Sequence, residues 1–367
     1  LTVVYTKDSS GDRFDDCVYL RNFSAGEALV VTFHANNGTE DTAQQKVYGG
    51  KAALKANTFT CENKIFAGWA AAADGAQVIF ATTPRLISAC RKAAVKHPNI
   101  KILNCSVSMP FPGVRTYYSR VYEGKFISGA VAGAMTKTGR IGYIASSPIY
   151  GVPAGINAFA LGALLTNPDI KICLRWSSVS EDPISELKAL GVDMISNRDV
   201  PSPEQPQDAW GLCRVDGSGA LIPIGSPFWN WGEMYVRIIE NILGGGWDEL
   251  SYKNSGKAVN YWWGLQSDAE RVDYYEELAG GTAQLLNLIA EALQKHELAI
   301  FPAGGLYAQG HVKKVPQGDN YTPKELMQMD WLGECVEGAL PQYEDLDVKT
   351  RGLIAINGLG SLKGMPL

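Results

Sequence analysis

The chain has 367 residues, 46% of them hydrophobic and 19% charged, with a formal net charge of −5, a globular composition long enough for two compact lobes. An acidic balance, with pI near 5.5 and scattered lysines and arginines, disfavours a nucleic-acid partner. No stretch reaches the ~18–20 uncharged apolar residues of a membrane span, so no transmembrane segment is expected.

The chain starts at Leu1 without a visible signal peptide, and a mature or excised portion of something longer is expected. The seven cysteines, Cys17, Cys61, Cys90, Cys105, Cys173, Cys213 and Cys335, are odd in number and widely spaced. No C-x-x-C pair suits zinc or redox work. Most lie in apolar surroundings, where a free thiol acts as a small hydrophobe. That usage favours a reducing compartment.

In chain order, residues 1–25 show one strand-like run, Thr2–Thr6. Ala28–His34 is an apolar, β-branched strand, followed by the polar loop Asn36 to Asp41 and a helical pattern through Lys55 with Thr39 or Asp41 as cap. A strand at Ala76–Ala81, a helix at Pro84–Lys96 and a strand at Ile100–Asn104 form a βαβ unit. The pattern then repeats. Helices are predicted at Tyr122–Thr136, Gly155–Leu165, Pro183–Leu190 and Trp231–Leu243, the last stopped by Gly244-Gly245-Gly246. Strands are predicted at Ile141–Ala145, Ile170–Trp176, Val192–Ile195 and Trp210–Val215. Later helices fall at Gly281–His296 and Thr322–Cys335, around a Gly/Pro-rich loop at Phe301–Gly305. Such alternation predicts an α/β chain of two lobes, each with a parallel sheet flanked by helices.

Catalytic chemistry is poorly represented. The four histidines, His34, His97, His296 and His311, are nowhere paired at helical spacing. There is no G-x-S-x-G, P-loop or dinucleotide fingerprint. The small residues Gly129 to Gly133 lie inside a helix, where they permit close helix–sheet packing. Glu181 and Asp182 precede Pro183 and read as a helix N-terminus. No enzyme activity, metal or cofactor is expected.

Ligands of open parallel sheets sit beyond the carboxyl ends of the strands. The candidate ligand residues there are Asn36, Asn37, Asp41, Thr82, Thr83, Asn104, Ser147, Trp176, Asn197, Asp216 and Trp229. This set offers neutral donors and acceptors, a few carboxylates and flat rings, and suits a neutral polyhydroxylated or heteroaromatic ligand. Each polar position taken singly also fits an ordinary turn.

The run Arg120-Val121-Tyr122-Glu123-Gly124-Lys125-Phe126-Ile127-Ser128-Gly129, continuing through Thr136-Lys137-Thr138-Gly139 to Ile141-Gly142-Tyr143-Ile144, resembles the basic membrane protein (BMP) family, the solute-binding subunits of nucleoside ABC transporters. Ile156-Asn157-Ala158-Phe159, Asn167-Pro168, Gly191-Val192-Asp193 and Trp229-Asn230-Trp231-Gly232 continue the likeness in order. The resemblance implies a type I periplasmic-binding fold that closes on a purine nucleoside or base about a hinge, with an ABC permease as partner. It also implies a stacking role for Trp176, a sugar-binding role for Asp216, and places for Asn37 and Asp41 in the first-strand loop. Trp229 stands where the family often has lysine, and Asn104 where it has an acidic residue, which shifts the expectation toward a bare base or another heterocycle.

The resulting expectation is a substrate-binding lipoprotein outside the cytoplasmic membrane. The alternatives are a ligand-sensing domain of a larger, cytoplasmic protein, which the cysteines favour, and a nucleoside-acting enzyme. The expected organisation is an extension at 1–27, one lobe at 28–116 plus about 229–256, a second at 117–228 plus about 257–265, and a C-terminal segment at 266–367 packed on the lobes.

Overall fold

A computed structural model describes residues 29–34, 42–47, 76–106, 111, 113–197, 211–247, 260–275 and 278–362. The first elements are strands β1 (Leu29–His34) and β2 (Thr42–Val47), paired antiparallel with Leu29 opposite Val47. The helix expected from Asp41 through Lys55 is therefore a strand over its first six residues. Pairing with an adjacent β-branched strand overrides the weak helical pattern of TAQQKV. The expected strand at Thr2–Thr6 lies outside the described residues.

Strand β3 (Val78–Ala81) leads through a short 3-10 turn into helix α1 (Ile87–Lys96), then strands β4 (Lys101–Cys105) and β5 (Val114–Ser119). Helix α2 (Tyr122–Met135), strand β6 (Arg140–Ala145), helix α3 (Val152–Thr166) and strand β7 (Lys171–Trp176) follow. Next come helix α4 (Pro183–Ala189) and strands β8 (Met194–Ser196), β9 (Leu212–Val215) and β10 (Leu221–Trp229). The remaining elements are helix α5 (Trp231–Leu243), strands β11 (Tyr261–Trp263) and β12 (Glu270–Tyr274), helix α6 (Gly280–Gln294), strands β13 (Leu306–Ala308) and β14 (Val312–Lys314), helix α7 (Pro323–Met327), strand β15 (Val336–Glu337) and helix α8 (Val348–Asn357).

The chain divides into two compact units, one of residues 1–118 and 231–262 and one of 119–230 and 263–367, so the backbone passes from one to the other three times. The first contains a four-stranded sheet in the order β11-β5-β4-β3, with β3, β4 and β5 parallel. Helix α1 covers it through Ile87, Cys90 and Ala94, packed against Ile79, Ile102 and Val114. Parallel strands need such cover, because both faces of the sheet are apolar.

The second unit holds a seven-stranded sheet in the order β12-β10-β9-β8-β6-β7-β15. Strands β8, β6, β7 and β15 form the expected parallel sheet, and β8-β9-β10-β12 extend it on one side as an antiparallel flank. Strand β10 carries Pro223 and Pro227, which ordinarily exclude a central strand. Pro223 sits at a register shift, and the β9 ladder ends at Gly225, so Pro227 meets only the β12 ladder, opposite Val272.

Helices α2 and α3 cross backbone to backbone. A Cβ on Gly129 would lie 2.0 Å from the Phe159 carbonyl oxygen, and one on Gly162 would lie 1.9 Å from that of Phe126. The small residues thus serve helix–helix contact, not the helix–sheet contact expected. Thr166 Oγ1 closes the crossing by donating to the Ala130 carbonyl at 3.0 Å.

The helix expected at Thr322–Cys335 stops at Met327. Beyond it, Asn157 on α3 receives the Gly333 N–H at 2.8 Å and donates to the Trp331 carbonyl at 3.0 Å, holding this stretch extended until it joins the sheet as β15. The C-terminal segment then packs Leu346, Ile354 and Leu359 against Ile149 and Tyr150.

Among the described residues Cys90, Cys105, Cys173, Cys213 and Cys335 are all free thiols. Burial pushes Cys90, Cys105 and Cys213 up to about 12. At pH 8 only about one such thiol in ten thousand is a thiolate, the reactive form. Peptide mapping after a short pulse of iodoacetamide is therefore expected to find these three unlabelled until denaturant is added. Native labelling at any of them would show that its site opens.

Candidate functional site

In the first unit the parallel strands end side by side, with Ala81 opposite Asn104 and Cys105 opposite Tyr117. Thr82 and Thr83 follow β3 and are half-buried. Thr83 Oγ1 accepts from the Arg85 N–H at 3.4 Å and so starts the turn into α1. Its carbonyl accepts from Asn104 Nδ2 at 2.9 Å, which fixes which way the amide points. Nδ2 also reaches Cys90 Sγ at 3.7 Å. Asn104 is fully buried, and among the described residues its Oδ1 has no hydrogen-bond partner; neither has Oγ of Ser106, one residue past the strand. A buried acceptor left open is costly unless something donates to it.

An aromatic cluster in the same unit meets these strand ends. Phe80 contacts Tyr117 with ring centroids 5.8 Å apart and Tyr235 at 4.6 Å. Trp231, the first residue of α5, stacks on Tyr235 at 6.2 Å and meets Tyr117 edge-on at 5.9 Å. The Tyr117 hydroxyl lies 3.3 Å from the Ala81 carbonyl oxygen and 3.2 Å from the Tyr235 hydroxyl, which pins the cluster to the end of β3. Burial, then the neighbouring Tyr235, raises Tyr117 well above the usual tyrosine range, so its hydroxyl keeps its proton. Strand alternation sets Asn104 and Ser106 on the α1 face of the sheet, in phase with Ile102, and the rings of Phe80 and Tyr117 on the opposite face. Buried open atoms of this kind suit a ligand that brings hydrogen-bond donors.

The second unit uses its expected site residues differently. Trp176 ends β7 but is only 6% exposed, and its indole N–H donates to the Ala339 carbonyl at 2.8 Å. Ser147 is buried with its Oγ 3.3 Å from Thr350 Oγ1 on α8. The C-terminal segment, which adds the Asp347 N–H to Ser178 carbonyl bond at 3.0 Å, therefore covers the ends of both strands. Asp216 Oδ1 accepts from Ser218 Oγ at 2.7 Å and from the Ser218 and Ala220 N–H groups, each at 2.8 Å. These bonds, led by the Ser218 hydroxyl, hold its carboxyl below the usual range and build the turn joining β9 to β10. The Asn197 N–H donates to the Gly211 carbonyl at 2.7 Å. Trp229 ends β10, opposite Glu270. Asn36, Asn37 and Asp41 lie outside the described residues.

Sequence reasoning passed over Phe80, Tyr117 and Tyr235, and also a buried polar group in the second unit. Lys125 on α2 is 3% exposed, with Nζ 3.2 Å from Ser196 Oγ and 4.7 Å from the Tyr143 ring centre. Glu270 is 1% exposed beside Gly124. A lysine between Gly124 and Phe126, followed by ten uncharged residues of the same helix, was the available signal for the former. Among the described residues no group of three metal-binding side chains occurs, and no helix is long and apolar enough to cross a membrane.

Two separated pieces of the BMP-like pattern meet in space. Asp193 accepts from Thr136 Oγ1 at 2.5 Å, from the Lys137 N–H at 2.6 Å and from Thr138 Oγ1 at 3.1 Å, fastening the loop after α2 to the start of β8. Those residues serve the fold.

The chain is similar to a purine-binding protein of Brucella abortus, 26% identical over 281 residues, 73% of this chain and 77% of that protein. It is also similar to a putative ABC transporter glucose-binding protein, TsgA13, of Haloferax volcanii, 27% identical over 232 residues, 57% of each. A solved ABC transporter solute-binding protein from Conexibacter woesei matches 62% of this chain and 80% of its own with a TM-score of 0.45 and 12% identity. Residues 30–197 match the family model Bmp, described as ABC transporter substrate-binding protein PnrA-like. Over this span the chain is similar to PnrA-like ABC transporter substrate-binding proteins.

Proposed function

We propose that the chain is the solute-binding component of a purine ABC transporter, taking a purine base or nucleoside at the carboxyl ends of the first unit's parallel strands. The observation that carries this reading is the pair of buried open atoms, Asn104 Oδ1 and Ser106 Oγ, at the carboxyl end of β4. With Nδ2 committed to Thr83, Oδ1 faces a donor such as a purine ring N–H or exocyclic amine. The serine hydroxyl complements either a donor or an acceptor. The name of the Brucella relative supports a purine; the name of the Haloferax relative supports a sugar. An open acceptor next to a hydroxyl suits the mixed donor-and-acceptor edge of a purine. In this reading the protein works without chemistry on its ligand, outside the cytoplasmic membrane beside a permease, as the PnrA-like substrate-binding proteins it resembles do.

The test is calorimetry of the purified chain with hypoxanthine, adenosine and glucose. Saturable binding of a purine is expected, weakened about tenfold by Ser106→Ala, the value of one neutral hydrogen bond in a dry site. Asn104→Ala weakens it further. Glucose binding without purine binding, or purine affinity unchanged in both variants, would reject the reading.

A further inference from the structure

A cavity of about 470 Å³ opens in the second unit between α3, the turn before β7, β13 and residues 331–335. It sits at Lys171, the first residue of β7, and so at the opposite end of that strand from its carboxyl terminus, where sheet ligands bind. Its volume lies within the range of small-molecule sites.

The walls are fixed by bonds already in the fold. Asn157 grips Trp331 and Gly333, the Glu334 N–H donates to the Tyr307 carbonyl at 3.1 Å, and the Ile172 N–H donates to that of Cys335 at 3.0 Å. The floor is apolar, from Ala160, Leu161, Leu164 and Leu306. Tyr307 and Trp331 supply the aromatic lining. Tyr307 is 46% exposed, yet its ring is stacked on His311 at 4.4 Å and 14°, and His311 Nδ1 lies 3.0 Å from Glu334 Oε1. This triad makes a standing wall from side chains that would otherwise be free to rotate. The charged lining groups are Asp169, Glu334 and Lys171, an excess of negative charge.

We infer that this cavity is a second binding site, for a small organic cation with a flat apolar body and one amino group. The rings attract a cation by their faces as well as an apolar body by burial, and the carboxylates set the sign of its charge.

Tryptamine is the probe, with indole-3-propionate as the same ring carrying the opposite charge, titrated into the full chain by calorimetry. Saturable tryptamine binding is expected, at least about tenfold tighter than that of the anion. Trp331→Ala is expected to weaken it about tenfold and Glu334→Gln about threefold. Glu334 is exposed, so its variant keeps the test readable if Trp331→Ala unfolds, and hypoxanthine affinity is unchanged in it. Absence of saturable tryptamine binding, equal binding of the anion, or full affinity in the Glu334→Gln and Trp331→Ala chains would each overturn the assignment.

Discussion

Gly129→Ala is expected to destabilise the protein by about 3 kcal/mol or more. The added carbon would sit 2.0 Å from the Phe159 carbonyl oxygen, and neither partner is a side chain that swings away. Helices α2 and α3 would have to separate, and both are buried along most of their length, so the loss spreads to the sheet they cover. Gly352 on α8 is the internal contrast. A Cβ placed there would meet nothing within 4 Å, and its φ is ordinary, so Gly352→Ala is expected to stabilise by about 0.5–1 kcal/mol through helix propensity alone. Urea unfolding of the two variants reads both signs in one experiment. A midpoint for Gly129→Ala equal to that of the parent chain would refute the backbone-to-backbone crossing.

Asn157→Leu is expected to cost about 3 kcal/mol and to lower the melting temperature by roughly 4 °C. The substitution keeps the branched shape but removes the acceptor for the Gly333 N–H and the donor to the Trp331 carbonyl. Asn157 itself is 2% exposed, so water reaches neither orphan easily. Because those two bonds also set one wall of the 470 Å³ cavity, tryptamine affinity should fall in the same variant. Thermal unfolding by circular dichroism gives the stability. A melt within a degree or so of the parent would mean that another group takes over both bonds.

The sequence spoke clearly where hydrophobic pattern and punctuation agreed. Trp231–Leu243 is a helix with the boundaries expected of it, because an apolar stripe and a glycine stop coincide. The strands at Ala76–Ala81 and Ile100–Asn104 shift by one or two residues at their ends, as strands with buried faces do. It was silent where long-range pairing decides. Nothing local in LIPIGSPFW announces a nine-residue strand with two prolines; the short length of β9 and a register shift make room for them. Val114–Ser119, rich in β-branched and aromatic residues, was readable and was passed over, and Tyr117 went with it. Of the site, the neutral polar character at Thr82, Thr83 and Asn104 was legible, because position after a strand is local information. The surroundings of Trp176 were not, since the carbonyl that holds its indole lies 163 residues further along.

That separation bears on how the protein is made. The first unit has all of its chain once residue 262 has left the ribosome, whereas the second still lacks the last strand of its sheet, β15, and the helix that covers two strand ends. Vectorial synthesis therefore finishes the lobe that carries the aromatic cluster first, and leaves the other with an unprotected sheet margin, a ready template for mispairing, until Val336 and Glu337 have been made.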